Sequence, residues 1–230
     1  MDYSRPHIPR VPRAVDVQKV QRIDSRNPDP GLIGRAAALL HAGKLVAYPT
    51  ETFYGLAADP LSPDAVETIF AAKGRPDRMA LPLIAAERQA VQSTVREFSA
   101  AAERLAQAFW PGALTLVLPA SPALPPRLLG GGHTVGVRIS PHPVASALAR
   151  AFGSSIVATS ANRSGQPAPM TAAEVKLALG GQVALILDGG PTRGGLASTV
   201  LDLSIDPPRL VRSGAVPVSA VEQVLGRRIS

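Results

Sequence analysis

Short apolar runs bounded by Pro and Gly alternate along this chain with amphipathic stretches that open on helix-capping residues. That alternation limits the fold more than any other feature. Runs over 44–48, 81–84, 114–118, 135–139, 155–158, 183–187, 199–203 and 210–212 read as strands, being short, apolar and flanked by turn residues. Pro82 pushes the second of them toward an edge or a strand end. Between the strands, Leu32, Ile33, Ala36, Leu39 and Leu40 share one helical face, and Gly43 supplies a stop. Ser62, Pro63 and Asp64 combine a capping hydroxyl, a Pro at the first helical position and an acid in the first turn, which predicts a helix to about Ala72. Helices are also expected over 99–109, 143–152 and 217–225, with another opening at Thr171, where Glu174 completes a capping-box spacing. Strands alternating with helices predict an α/β domain.

Residues 1–30 carry five Pro and little apolar periodicity. They predict an extended arm over 1–29, with at most a short strand at 15–17, ahead of a single domain over 30–230. No apolar run approaches the roughly 20 residues of a membrane helix, so no membrane partner is expected. No apolar segment follows the basic residues near the start in the manner of a signal peptide. The absence of Cys excludes disulfides, thiolate metal sites and a Cys nucleophile, and suits a cytoplasmic protein. Net charge is +7, carried by 20 Arg and 4 Lys. Arg presents a planar fork of donors that matches phosphate and carboxylate oxygens, so an anionic partner is expected, either a nucleotide or a nucleic acid.

Polar side chains gather at strand ends and in the loops after them: Thr50, Thr52, Lys73, Arg75 and Thr134, then Arg138, Ser160, Asn162, Ser198 and Arg212. Ligands of open α/β sheets commonly sit at such places. Four of the ten are cations, a sum that suits a triphosphate plus a carboxylate. Standard catalytic templates are missing: there is no P-loop, no dinucleotide-binding glycine fingerprint, no nucleophile elbow around Ser160 and no metal-ligand spacing among the four His. What remains is a site that works by positioning and charge neutralisation, without a protein nucleophile.

Seven blocks occur in order: Tyr48-Pro-Thr-Glu-Thr-Phe-Tyr-Gly-Leu56, Ala72-Lys-Gly-Arg-Pro76, Trp110-Pro-Gly-Ala-Leu-Thr115, Thr134-Val-Gly-Val-Arg138, Thr159-Ser-Ala-Asn162 with Ser164 and Gly165, Ser198-Thr-Val-Leu-Asp202 and Val211-Arg-Ser-Gly214. Together they resemble the YrdC-like family of threonylcarbamoyl-AMP synthases over about residues 30–215, in its short, single-domain form. The resemblance implies a twisted, mixed open sheet flanked by helices around a large basic cavity. It implies a nucleotidyltransferase that converts L-threonine, bicarbonate and ATP to threonylcarbamoyl-AMP and pyrophosphate. Magnesium would be carried by the nucleotide, and downstream threonylcarbamoyl-transferase proteins would use the product to modify tRNA. By motif, Lys73, Arg75, Thr134, Ser160, Asn162 and Arg212 would bind ATP, with Lys73 and Arg75 stabilising charge. Thr50, Thr52, Arg138 and Ser198 would bind threonine. Many members carry Asn and His contacts shortly after the Lys-x-Arg block. Here the stretch 76–86 has Ala where His would fall, and no site residue is assigned to it.

Each assignment has a structural alternative. Lys73 suits a helix C-terminus electrostatically; Thr50 and Thr52 suit a turn; Ser160 and Asn162 suit an Asx-type turn; and Arg138 needs a ligand or a carboxylate such as Asp188. At the level of function the alternative is a non-catalytic module holding double-stranded RNA or tRNA in the basic cavity. Against it stands a 4% aromatic content, too low for a base-stacking surface. A carbamoyl-transfer domain related to hydrogenase maturation factors would share the fold, but the flanking zinc-finger and acylphosphatase-like segments are missing.

Overall fold

The computed structural model describes residues 20–76 and 78–230. Most of the expected arm, with its strand at 15–17, lies outside them. The described chain runs β1 (Val20–Arg22), α1 (Pro30–His41), β2 (Val46–Pro49), β3 (Tyr54–Ala57), α2 (Pro63–Lys73), β4 (Leu83–Ala85), α3 (Arg88–Val91), α4 (Ala100–Phe109) and β5 (Leu114–Pro119). It continues with β6 (Thr134–Ile139), α5 (Pro143–Phe152), β7 (Ile156–Val157), β8 (Thr159–Ser160), α6 (Ala172–Leu179), β9 (Leu185–Asp188), β10 (Thr199–Asp202), β11 (Arg209–Arg212) and α7 (Val218–Leu225).

The helices begin where the capping chemistry predicts. Ser62 Oγ accepts from the Ala65 amide at the start of α2, and Gly74 ends that helix in the left-handed region at φ 57°. At α6, Thr171 Oγ1 accepts from the Glu174 amide while Glu174 Oε2 accepts from the Thr171 amide, a reciprocal capping box. His142 caps α5 through Nδ1, which accepts from the Val144 amide, so its role is the orienting one.

The mixed, open α/β organisation is present, distributed over two sheets: β1-β9-β2-β3-β8, and β11-β10-β5-β6-β4-β7. Two local differences from expectation have physical causes, and the strand-end expectation for Pro82 holds. Residues 20–22, read as the end of an arm, pair in parallel with β9, Val20 opposite Ile186 and Arg22 opposite Asp188, while Ile23 just beyond is buried. Tyr54–Ala57, which carried no strand expectation, forms an antiparallel hairpin with β2, Gly55 opposite Tyr48. All four of its residues are buried, so it shows no alternation to read. Pro82 sits just ahead of β4, which lies between β6 and β7; its carbonyl accepts from the Ala158 amide, a bond that needs no N–H from proline.

Period-two alternation sorts the side chains into layers. Leu185 and Leu187 of β9 pack with α1 and α5 in one cluster, and Ile186 between them faces a second, larger cluster. That cluster also takes Leu114, Leu116 and Leu118 of β5, with Val135, Val137 and Ile139 of β6, packed with α4 and α7. Each such buried aliphatic side chain contributes about 1.5–3 kcal/mol relative to exposure. The intervening residues of β5 and β6 (Thr115, Val117, Gly136 and Arg138) are thereby turned to the opposite face.

Candidate active site

That opposite face is one wall of a cavity of about 520 Å³, within the roughly 300–1,000 Å³ of small-molecule sites. The larger sheet supplies Thr115, Gly136, Arg138, Ser198 and Arg212 to it, and the smaller sheet supplies Tyr48, Thr50, Thr52, Gly55 and Ser160. Seven of the ten residues picked out in the sequence therefore converge: Thr50, Thr52, Arg75, Arg138, Ser160, Ser198 and Arg212.

Three do not line it. Lys73 is 2% exposed, and its Nζ donates to the carbonyls of Ser160 (2.5 Å) and Asn162 (2.7 Å). Its own carbonyl accepts from the Ser164 amide at 2.8 Å, so Lys73 ties the end of α2 to the 160–164 loop at both of its ends. Burial, with a smaller push from the Arg75 charge, brings its ammonium pKa down to about 8. Asn162 spends its amide on the carbonyls of Arg163 and Gln166, the structural turn reading, and borders a neighbouring groove beside α6. Thr134 shares a strand face with Gly136 and Arg138 but lies at the start of β6, outside the cavity wall.

Arg138 does face a carboxylate, and it is Glu51 rather than Asp188. Arg138 Nη1 lies 2.7 Å from Glu51 Oε1, with side-chain exposures of 13% and 23%. Asp188 pairs with Arg22 instead. Arg212 donates through Nε and Nη2 to the Ser198 carbonyl and through Nη2 to Ser198 Oγ, which lies 2.9 Å from Thr115 Oγ1. Burial and then the Arg138 charge lower the Arg212 pKa, so the two guanidiniums feel each other across the cavity. Arg75 donates to the carbonyls of Met79 and Ala80, shaping the loop that forms a further wall. Thr50 Oγ1 donates to the Phe53 carbonyl and accepts from the Thr52 and Phe53 amides, so it holds the turn while its neighbour Thr52 borders the cavity.

The wall from Met79 to Ile84, left unassigned from sequence, consists of backbone and apolar side chains. Thr115 and Tyr48 were also passed over, although both fall in quoted blocks. The available signal was position: Thr115 is the polar residue between Leu114 and Leu116 of an otherwise apolar strand. Among the described residues no three His, Asp or Glu converge as metal ligands.

Gly214 fixes where Ser198 stands. A Cβ there would collide with backbone atoms of residues 197–199, including the Ala197 carbonyl and the Thr199 amide. Neither can yield without moving Ser198. Gly214→Ala is expected to cost about 2–4 kcal/mol of stability, read by denaturant unfolding, and to weaken activity with it.

Comparisons with known proteins bear on the family and the fold. Residues 38–214 match the Sua5/YciO/YrdC family model, described as "Telomere recombination". The chain is 45% identical over 191 residues to a threonylcarbamoyl-AMP synthase of Pyrococcus abyssi, covering 83% of this chain and 56% of that protein. It is 37% identical over 203 residues to a putative threonylcarbamoyl-AMP synthase of Mycobacterium tuberculosis, covering 88% and 93%. Among solved structures, P. abyssi Sua5 complexed with L-threonine superposes with a TM-score of 0.86 at 42% identity, covering 92% of this chain and 62% of that one. E. coli YciO superposes at 0.78 with 30% identity, covering 86% and 97%. The chain spans a little over half the length of the P. abyssi synthase and of a Bacillus subtilis synthase that it matches equally well.

Proposed function

The chain belongs to the Sua5/YciO/YrdC family, and from that premise we propose that it is a threonylcarbamoyl-AMP synthase, joining L-threonine, bicarbonate and ATP and releasing pyrophosphate. The observation that carries the proposal is the meeting of Arg75, Arg138 and Arg212 with the hydroxyls of Thr52, Thr115 and Ser198 in one cavity. Such a site can position and neutralise anions. The names of the relatives and the threonine complex of the P. abyssi structure support the choice of substrates.

In the proposed scheme Arg138 holds the threonine carboxylate in a forked pair, with Thr52 and Ser198 orienting the molecule. Bicarbonate breaks a C–O bond to give CO₂ and hydroxide; the amine nitrogen bonds to the CO₂ carbon and passes its proton to that hydroxide, giving a carbamate and water. A carbamate oxygen then attacks the α-phosphorus in line, the bond to the β-phosphate oxygen breaks, and pyrophosphate leaves. Arg75 and Arg212 neutralise the polyphosphate. Ser160 contacts the nucleotide, and Lys73 and Asn162 act by holding the loop that carries it. Thr134 has no part in this scheme. Magnesium would enter with the nucleotide and offset part of its phosphate charge.

In this reading residues 30–230 are the catalytic unit, β1 of the preceding segment adds a strand to its smaller sheet, and the protein works in the cytoplasm. Its product, a mixed anhydride, would pass to threonylcarbamoyl-transferase proteins acting on tRNA. The RNA-binding alternative is the weaker one, because a cavity of about 520 Å³ walled by both sheets has small-molecule dimensions. Purified protein given ATP, bicarbonate and L-threonine should release pyrophosphate, and omission of either co-substrate should return release to background. Release indifferent to threonine would overturn the proposal.

A further inference from the structure

The Arg138–Glu51 pair joins the two sheets. Arg138 stands on β6 of the larger sheet, and Glu51 lies in the turn between β2 and β3 of the smaller one. Glu51 is held at both oxygens: Oε1 takes the Arg138 Nη1 donor at 2.7 Å, and Oε2 takes the Ser140 hydroxyl at 2.7 Å. Ser140 Oγ is itself anchored, accepting from the His142 amide at the start of α5. Arg138 lines the cavity and Glu51 does not, so the carboxylate sits behind the guanidinium. With Nη1 committed to Glu51, Nε and Nη2 have no protein acceptor among the described residues and are left for a ligand.

The charge balance follows from this arrangement. Two guanidiniums near one another, those of Arg138 and Arg212, would make two competing seats for phosphate. A carboxylate behind Arg138 cancels its net charge and leaves its donors in place. Donors without a net positive field suit an α-amino acid, which brings an ammonium along with its carboxylate. A polyphosphate needs net cations instead.

We propose that Glu51 is a positioning and specificity residue: strapped by Ser140, it aims Arg138 at an amino-acid carboxylate and keeps that end of the cavity from accepting pyrophosphate or the triphosphate. This rests on the reading above that an amino acid is a substrate.

The test is Glu51→Gln, which keeps the size of the side chain and an acceptor oxygen for Arg138, turns the Ser140 contact into one donated by the amide NH₂, and removes the charge. The KM for L-threonine should rise about tenfold with a smaller change in kcat, and the KM for ATP should stay within about twofold. Pyrophosphate should compete with ATP alone in the wild type, and with threonine as well in the Gln variant. Glu51→Asp should restore the wild-type inhibition pattern, because the charge returns. A Gln variant with wild-type threonine KM and inhibition pattern would overturn the proposal, and so would an Asp variant indistinguishable from Gln. Calorimetry with pyrophosphate alone separates this from failure of the functional reading: the Gln variant should bind it about tenfold more tightly than the wild type even if threonine proves not to be a substrate. Equal affinities would overturn the charge partition.

Discussion

Arg138→Ala should lower kcat/KM for L-threonine about a thousandfold, roughly 4 kcal/mol of lost transition-state stabilisation, while the KM for ATP changes less than about tenfold. The substitution removes the fork that would hold the amino-acid carboxylate and leaves Glu51 with Ser140 as its remaining partner. Because Glu51 keeps one strong hydrogen bond and is 23% exposed, the fold should survive, and circular dichroism should show it. Arg138→Lys should recover little: an ammonium is a point charge and cannot engage Glu51 and a carboxylate in one plane. Steady-state pyrophosphate release at varied threonine measures both variants. A Lys variant within tenfold of the wild type would show that charge alone is enough.

Lys73→Met should have the other large effect, through a loop rather than through contact with substrate. Met fills the same space but leaves the carbonyls of Ser160 and Asn162 without their buried donor. Unfolding free energy should fall by roughly 2–4 kcal/mol. The kcat/KM for ATP should drop about a hundredfold as Ser160 shifts from the cavity wall, with threonine binding by calorimetry largely retained. The pH dependence has a definite sign. The folded-state pKa of Lys73, about 8, lies below the 10.5 of a free lysine. Between those values the unfolded chain binds the extra proton, so stability rises with pH. The advantage is complete above about 10.5 and is lost as pH falls through 8. The stability gap between wild type and Lys73→Met should therefore widen from pH 7.5 to 9.5, by denaturant titration at each pH. A narrowing gap would mean that the carbonyls hold the ammonium more firmly than burial disfavours it.

The two variants mark where reading residues in order succeeds and where it stops. Arg138 was recognisable because a lone cation at the end of an apolar, alternating strand must find an anion. Its partner was not, because Glu51 lies 87 residues away on another sheet and nothing in either segment refers to the other. Lys73 looked like a phosphate ligand because a Lys, a Gly and an Arg at a helix end suit one. Only the course of the 160–164 loop past the end of α2 shows that the ammonium is occupied by carbonyls.

The secondary elements follow the same division. The α5 boundaries and the α6 capping box depend on residues within a few positions of each other, so local chemistry determined them. Strand β3, with all four residues buried, and the three-residue β1 have no local periodicity, and they exist because β2 and β9 offer them partners. From its sequence alone this chain is committed to alternating strands and helices and to an arginine-rich polar set at strand ends. Tertiary structure decided that the strands divide into two sheets with a cavity between them, which three of the ten residues stand outside it, and which carboxylate faces Arg138. Those outcomes depend on contacts between segments far apart in the chain, where burial and pairing geometry act and local propensity has no reach.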